Sequence, residues 1–470
     1  MDSIYPPPSK PFAVAHALNT DVFSRNGIPT LRYWLKHGWY RYNGRSWSPV
    51  DELEVKGPIW ERLEQTQYEG EKGLVDYSPT PAKVANTIEP LQWLNRLADT
   101  AEPPIWLDGR TSDNPKALIA LDNGVLNFRT GTFTKGHTPA LFTLWHLPFP
   151  YDPKATCSQW KAFLKQTFAH DPDAARTLQQ WAGYLISGRT DLHKALMLIG
   201  PPRSGKGTIS RVLQQLVGTQ NSVSPSFGTL GTNFGAQVLI GKTFAVFEDT
   251  RNDRDRNIGQ TVERIIGITG GDAQTIDRKY HEAWNGRLNT RFMLVSNEIP
   301  RLTDASGALV NRFVSIELKR SHADNPDPEL GAKLAAELPG IFLWALEGLR
   351  DLESAGTFTT PQTMAGLTEM LADVSQPVAT FLDDHENYTL TGNPEDHVLL
   401  RDIHGDYRTW CEEVGIGAVK QSSFAQALKA TDPRIEHKNT AVDGHPKARR
   451  IFGVKRAQNP TAWQVSQRTA

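Results

Sequence analysis

The chain has 470 residues, of which 39% are hydrophobic and 22% charged, with a formal net charge of −1. That length is too great for a single core and predicts two to four domains, and the near-neutral balance supplies no whole-chain attraction to nucleic acid. Two cysteines, Cys157 and Cys411, exclude a disulfide framework or a cysteine-based zinc site and suit a reducing cytosol. There is no apolar run long enough to span a bilayer and no basic-then-apolar leader after Met1, so a cytoplasmic location is expected.

Residues 1–25 read as a Pro-rich, poorly ordered tail. Residues 26–150 are rich in Trp and turn signals and predict a small α+β domain. Within it, Tyr40-Arg41-Tyr42-Asn43-Gly44-Arg45-Ser46-Trp47 predicts a hairpin, since Asn-Gly supplies the positive φ angles of a tight turn. Asn123-Gly124-Val125-Leu126 followed by Thr130-Gly131-Thr132-Phe133 predicts another. In 151–193, Trp160, Phe163, Leu164 and Phe168, then Leu178, Trp181, Ala182 and Leu185, fall at helical spacing, with a break at Asp171-Pro172-Asp173. Such stripes suit core or subunit packing, and the segment reads as a helical collar for oligomerisation.

The block 194–355 alternates strands and helices. Lys194 to Ile199, Thr243 to Phe247 and Arg291 to Val295 are short apolar strands. Thr208 to Val217 and Ile341 to Leu352 are helices, and the alternation predicts an α/β fold with a parallel sheet between helices. The block 375–456 mixes helices with a β-like end. From Lys420 to Arg456 it carries nine Lys or Arg against Asp432, Glu436 and Asp443, a basic segment in a neutral protein. Lys447, Arg449 and Arg450 are its candidate phosphate contacts, and a solvated basic face is the plain alternative. Residues 457–470 read as a tail.

Chemistry concentrates in the middle. Gly200-Pro201-Pro202-Arg203-Ser204-Gly205-Lys206-Gly207-Thr208 follows a strand and opens a helix, the context in which backbone N–H groups and a helix N-terminus wrap phosphates and a lysine reaches their oxygens. The Ser or Thr usual after the lysine is replaced by Gly207, and Thr208 supplies a hydroxyl one residue later. Glu248-Asp249 end a strand, where a carboxylate polarises water and, through it, holds Mg²⁺; Thr208 and Asp249 are the candidate magnesium ligands. Asn297 ends another strand, as a residue that positions the attacking water would. Gly270-Gly271 lead to a β-like stretch with the basic–aromatic tip Lys279-Tyr280, a candidate DNA contact.

Loop, acidic strand end, Asp277-Arg278-Lys279 hairpin, Asn-ended strand and Asn311-Arg312-Phe313 together resemble superfamily 3 helicases over residues 194–320. More narrowly, Ala195 through Thr208, Asp277-Arg278-Lys279-Tyr280, Thr303-Asp304-Ala305-Ser306-Gly307-Ala308-Leu309 and Pro339-Gly340-Ile341 are similar to the phage and plasmid primase–helicase family of the P4 or D5 type. The Trp-rich start and Asn123-Gly124-Val125-Leu126 resemble that family's N-terminal D5 domain. Ser375-Gln376-Pro377-Val378 and Trp410-Cys411-Glu412-Glu413 extend the likeness. The resemblance implies an AAA+-like P-loop ATPase core over 194–355, an N-terminal α+β domain, and a winged-helix-like DNA-binding domain over 375–456. It further implies a ring, usually a hexamer, with ATP and Mg²⁺ at subunit interfaces and single- and double-stranded DNA as partners. Lys206, Glu248, Asp249 and Asn297 would form the catalytic set, and Arg312 would be an arginine finger for the neighbouring subunit. Arg264 is a second candidate of that kind. The family carries His after the hairpin lysine in some members, and this chain has Tyr280. No Asp-x-Asp pair with supporting metal ligands precedes residue 190, so a separate primase or polymerase is the expected partner. Two other functions fit parts of the pattern: an ATP-binding origin initiator without unwinding activity, and an adenylate-kinase-like nucleotide kinase.

Overall fold

The computed structural model describes residues 3–35, 37–248, 258–279, 281–300, 308–322, 327–375, 377–384, 387–414, 417–442 and 445–457. The N-terminal region begins earlier than expected. Strand Ser3–Tyr5 pairs in parallel with Thr66–Gly70, and Pro11–Asp21 is a helix. Its buried Val14, Ala15 and Leu18 fall at i, i+1 and i+4 and join a core with Val84, Ile88 and Leu91 of helix Pro81–Leu94. The expected tail over 1–25 is therefore corrected: an amphipathic stripe hidden among prolines orders most of it.

The first hairpin is present, with strands Gly38–Tyr42 and Trp47–Val50. Its turn is not the two-residue form that Asn-Gly suggested. Asn43 Oδ1 accepts the N–H groups of Arg45 and Ser46 at 3.0 and 2.9 Å, and Gly44 alone in that loop has positive φ. The second hairpin joins Leu118–Leu121 to Gly124–Asn127, and Phe133–Lys135 adds a third strand.

Helices Ser158–Thr167 and Pro172–Ile186 follow, the second capped by Asp171 Oδ1 accepting Ala174 N–H at 3.2 Å. The apolar stripes of this segment lie in the core, one of the two uses their spacing suits. Trp160, Phe163, Leu164, Leu178, Trp181 and Leu185 are buried in the same cluster as Ile209 and Leu213 and as Ile341, Phe342 and Leu349 of helix Leu338–Ala355. Their stripes are thus used within the chain. Contact with Leu338–Ala355 is backbone-close: a Cβ on Gly348 would stand 2.2 Å from the carbonyl oxygen of Gln179.

The centre is a five-stranded parallel sheet in the order Ser222–Val223, Phe244–Glu248, Arg291–Ser296, Ala195–Ile199, Phe313–Glu317. Its strands are buried on both faces, which is why they read as unbroken apolar runs. Helix Lys206–Val217 leaves the end of the Ala195–Ile199 strand. The hairpin Ala273–Arg278/His281–Arg287 stands apart as its own two-stranded ribbon.

After residue 376 a separate core forms around Phe381, Ile403, Tyr407, Phe424, Leu428 and Ile451. Its order is helix Pro377–Asp384, strands Tyr388–Leu390 and His397–Leu399, helices Leu400–Glu413 and Gln421–Thr431, then strands Glu436–Val442, His445–Phe452 and Val454–Arg456. His445–Phe452 lies between His397–Leu399 and Glu436–Val442, antiparallel to both, and Tyr388–Leu390 pairs with Val454–Arg456. Among the described residues no helix is long and apolar enough to cross a membrane.

Candidate functional site

The loop 200–205 sits where the sheet's strands end. Gly200 has φ +159 and its N–H donates to Ser296 O at 3.3 Å; a Cβ there would stand 2.1 Å from Leu318 O, so only glycine fits. Arg203 takes the left-handed φ of +60, Gly205 that of +101, and the helix starts at Lys206. Residues after the outer strand brace the turn: His322 N–H donates to Arg203 O at 2.9 Å and Ser321 Oγ to Pro202 O at 3.1 Å. Pro201 and Pro202 have no N–H, so anion-facing amides must come from Arg203 onward.

Lys206 is buried at 6% exposure, and its Nζ donates to Gly200 O at 2.6 Å, Pro201 O at 2.8 Å and Ser204 Oγ at 3.3 Å. Its ammonium is thereby held inside the curl of the loop. A cavity of about 130 Å³ is lined by Lys206, Val295, Ser296 and Asn297, so the structure brings the loop lysine and the Asn-ended strand together. Glu248, exposed at the end of the next strand, pairs in register with Val295 and accepts a hydrogen bond from Ser210 Oγ at 3.3 Å.

Ser210 is a residue that sequence reasoning missed. It is fully buried and lies four residues after Lys206, so the helical period alone places it on the side of Lys206. Phe163 was missed as well. Its ring would stand 2.9 Å from a Cβ on Gly205, a contact no local pattern encodes. Thr208 sits in the helix's first turn with its N–H donating to Gly205 O at 3.0 Å. Asp249, Tyr280 and the segment 301–307 lie outside the described residues. Among the described residues no group of three or more His, Cys, Asp or Glu is placed to hold a metal ion.

Arg312 is not brought to the loop. It closes the short helix Ala308–Arg312, and the strand after it runs in register from Phe313 beside Ala195 to Glu317 beside Ile199. Five strand residues, roughly 16 Å at ~3.3 Å each, separate it from Gly200. Its Nη1 donates instead to His193 O at 3.5 Å. Arg264 is engaged internally, its Nη1 donating to the carbonyls of Leu230 and Thr232.

Lys279 is exposed at the hairpin tip, and its N–H donates to Gln237 Oε1 at 3.3 Å. Trp284 on the returning strand meets His37 of the N-terminal region, ring centres 5.7 Å apart. In the C-terminal unit Lys447 and Arg449 are exposed on strand His445–Phe452, whereas Arg450 is 6% exposed. Strand alternation turns Arg450 inward, away from the surface assigned to it by charge counting.

Residues 28–169 match the family described as "D5 N terminal like", and residues 198–312 match a family of unknown function (DUF5906). Among solved structures, the apo NrS-1 C-terminal region (305-718) is similar at 16% identity with a TM-score of 0.41, covering 65% of this chain and 79% of that one. An A-form apo structure of the same region matches at 13% identity and a TM-score of 0.48, covering 94% and 99%.

Proposed function

We propose that this chain is an ATP-driven DNA helicase of a phage- or plasmid-type replication system that hydrolyses ATP between neighbouring subunits of a ring. The observation that carries the reading is the cavity in which Lys206 and Asn297 meet, with Glu248 one strand away, at the carboxyl edge of a parallel sheet. Ligands of α/β sheets bind at that edge. The residues fit a nucleoside triphosphate: Gly200 permits no side chain, Lys206 is held inward, and the helix behind it has no acid in its first turn.

In this reading the amides from Arg203 to Thr208 bind the phosphates, and Lys206 exchanges its loop carbonyls for phosphate oxygens. Glu248 takes the proton of the attacking water, oriented by Ser210, while Asn297 positions that water. Magnesium, when bound, supplies charge neutralisation at the phosphates, with Thr208 and Asp249 as its proposed ligands. Arg312 serves the neighbour's site, because about 16 Å of strand keeps it from its own. Lys279 touches DNA from the hairpin. The C-terminal unit, two helices followed by an antiparallel strand pair, serves as a winged-helix-like module in which Lys447 and Arg449 face duplex phosphates. The D5 N-terminal-like match supports the family reading, with a separate primase as partner.

ATP turnover with and without single-stranded DNA tests this directly. Turnover stimulated by DNA in the native chain and lost in Lys206→Ala supports the reading. Transfer of phosphate from ATP to AMP with no response to DNA would replace it with a nucleotide kinase. ATP-dependent duplex binding without strand separation would replace it with an initiator.

A further inference from the structure

Gly207 stands where phosphate loops of this type place the hydroxyl that holds magnesium. The face of the helix that would carry that hydroxyl is filled in another way. Ser210, one turn later, gives its hydroxyl to Glu248. Arg211, four residues after Gly207, lays its guanidinium back over the glycine: the atom nearest a Cβ on Gly207 would be Arg211 Nη1, at 3.4 Å. The direction follows from helix geometry, since side chains lean toward the N-terminus over the preceding turn, and a glycine there leaves the way clear.

Geometry alone would put any long side chain at that place; the charge is what signals a ligand. A cation at the positive end of a helix is disfavoured. Here Arg211 joins Lys206 and Arg203 at that end, with no acid in the first turn. Among the described residues Arg211 has no hydrogen-bond or ion-pair partner.

We infer that Arg211 is a nucleotide-binding residue acting within its own subunit, contacting a phosphate of the bound triphosphate from the place left open by Gly207 and supplying there part of the positive charge that a hydroxyl-held magnesium would bring. The inference rests on the nucleotide site proposed above. It makes ATP binding by this chain less dependent on magnesium than in loops with Ser or Thr after the lysine.

Binding of a fluorescent ATP analogue to the full chain, in magnesium and in EDTA, tests it. In EDTA the native chain should bind, Arg211→Ala should lose about ten-fold in affinity, and Arg211→Lys should recover part of that loss. In magnesium the loss should be smaller. Gly207→Thr, whose side chain takes the guanidinium's place, should mimic Arg211→Ala in EDTA. Equal affinity of Arg211→Ala and native chain in EDTA overturns the inference while leaving the site intact. Undiminished binding by Lys206→Ala overturns the site itself. Equal melting temperatures of Arg211→Ala and native chain exclude a folding artefact, Arg211 being exposed on the helix surface.

Discussion

The two edges of the central sheet handle positive charge in different ways. At the carboxyl edge, Lys206 is folded into the loop and donates to its carbonyls, beside a cavity. At the amino edge, Lys194 donates to Asn311 O at 2.6 Å, Arg312 to His193 O, and the fully buried Arg291 to Leu185 O at 2.7 Å and Asn289 O at 2.6 Å. Carbonyl oxygens satisfy donors without cancelling a formal charge, and among the described residues no carboxylate pairs with these three cations. Burial, together with the Arg312 charge, pulls Lys194 below its ordinary pKa. In the proposed mechanism the first edge takes the anion, and Arg312 on the other serves a neighbouring subunit.

Separating the edges by mutation should give the largest effect. Arg312→Ala is expected to retain ATP affinity while losing about 10³–10⁵ in turnover, the range measured for arginine fingers. Mixing it with Lys206→Ala should restore part of the activity, since each variant keeps one intact edge. Native turnover by Arg312→Ala alone would abolish the distinction between the edges.

A second change attacks the scaffold that holds both edges in register. Gly348→Val drives a side chain into the Gln179 carbonyl and should cost about 3 kcal/mol in denaturant unfolding, as overpacking does. An unchanged midpoint would show that the two helices part freely.

Cations of a third kind lie on the C-terminal strand, exposed and far from the sheet in sequence. Lys447→Ala with Arg449→Ala should reduce the slope of log affinity against log salt for duplex DNA by about 2, at about 0.9 per phosphate contact, and leave basal ATPase unaltered. An unaltered slope would reduce these residues to a solvated face.

The smallest effect concerns the junction between the regions. His146 Nδ1 lies 3.1 Å from Ser46 Oγ on the first hairpin, and its carbonyl accepts from Asn221 Nδ2 at 3.1 Å. Burial, with Arg45 adding to it, lowers its pKa below 6.5. The unfolded chain then binds the extra proton first, so this contribution is complete above 6.5 and declines as pH falls through and below that value. Replacing His146 with Gln should flatten the fall of melting temperature between about pH 7 and 5 by roughly 2 °C or less. An identical pH profile would show that the junction does not titrate.

What was legible in the sequence was local. The loop 200–205 is contiguous, and its strand and helix announce themselves by period, so Gly200 to Lys206 could be placed within a residue or two. The placement of Glu248 and Asn297 was legible because parallel strands end on one edge wherever they lie in the chain. Helix Pro11–Asp21 was not, since three apolar residues beside a proline run look like a tail until the helix they pack against is known. The partner of the stripes in 151–193 was hidden for a related reason. An apolar stripe shows that something covers it, and only the fold showed that Leu338–Ala355 does so, from more than 150 residues away in the sequence. Arg450 failed on strand alternation, which turns one neighbour out and the next in.

The opposed placement of Lys206 and Arg312 also bears on symmetry. A contact that brings one chain's amino edge to another's carboxyl edge joins two different surfaces; made once per pair it is heterologous and leaves an unused surface at each end. A two-fold dimer completes it only by making the contact twice, each amino edge meeting the other chain's carboxyl edge; a contact made once per pair behaves differently. It closes only when enough copies turn through a full circle, and otherwise continues as a filament. The angle between successive subunits, rather than the strength of any one interface, then decides whether the chain makes a ring.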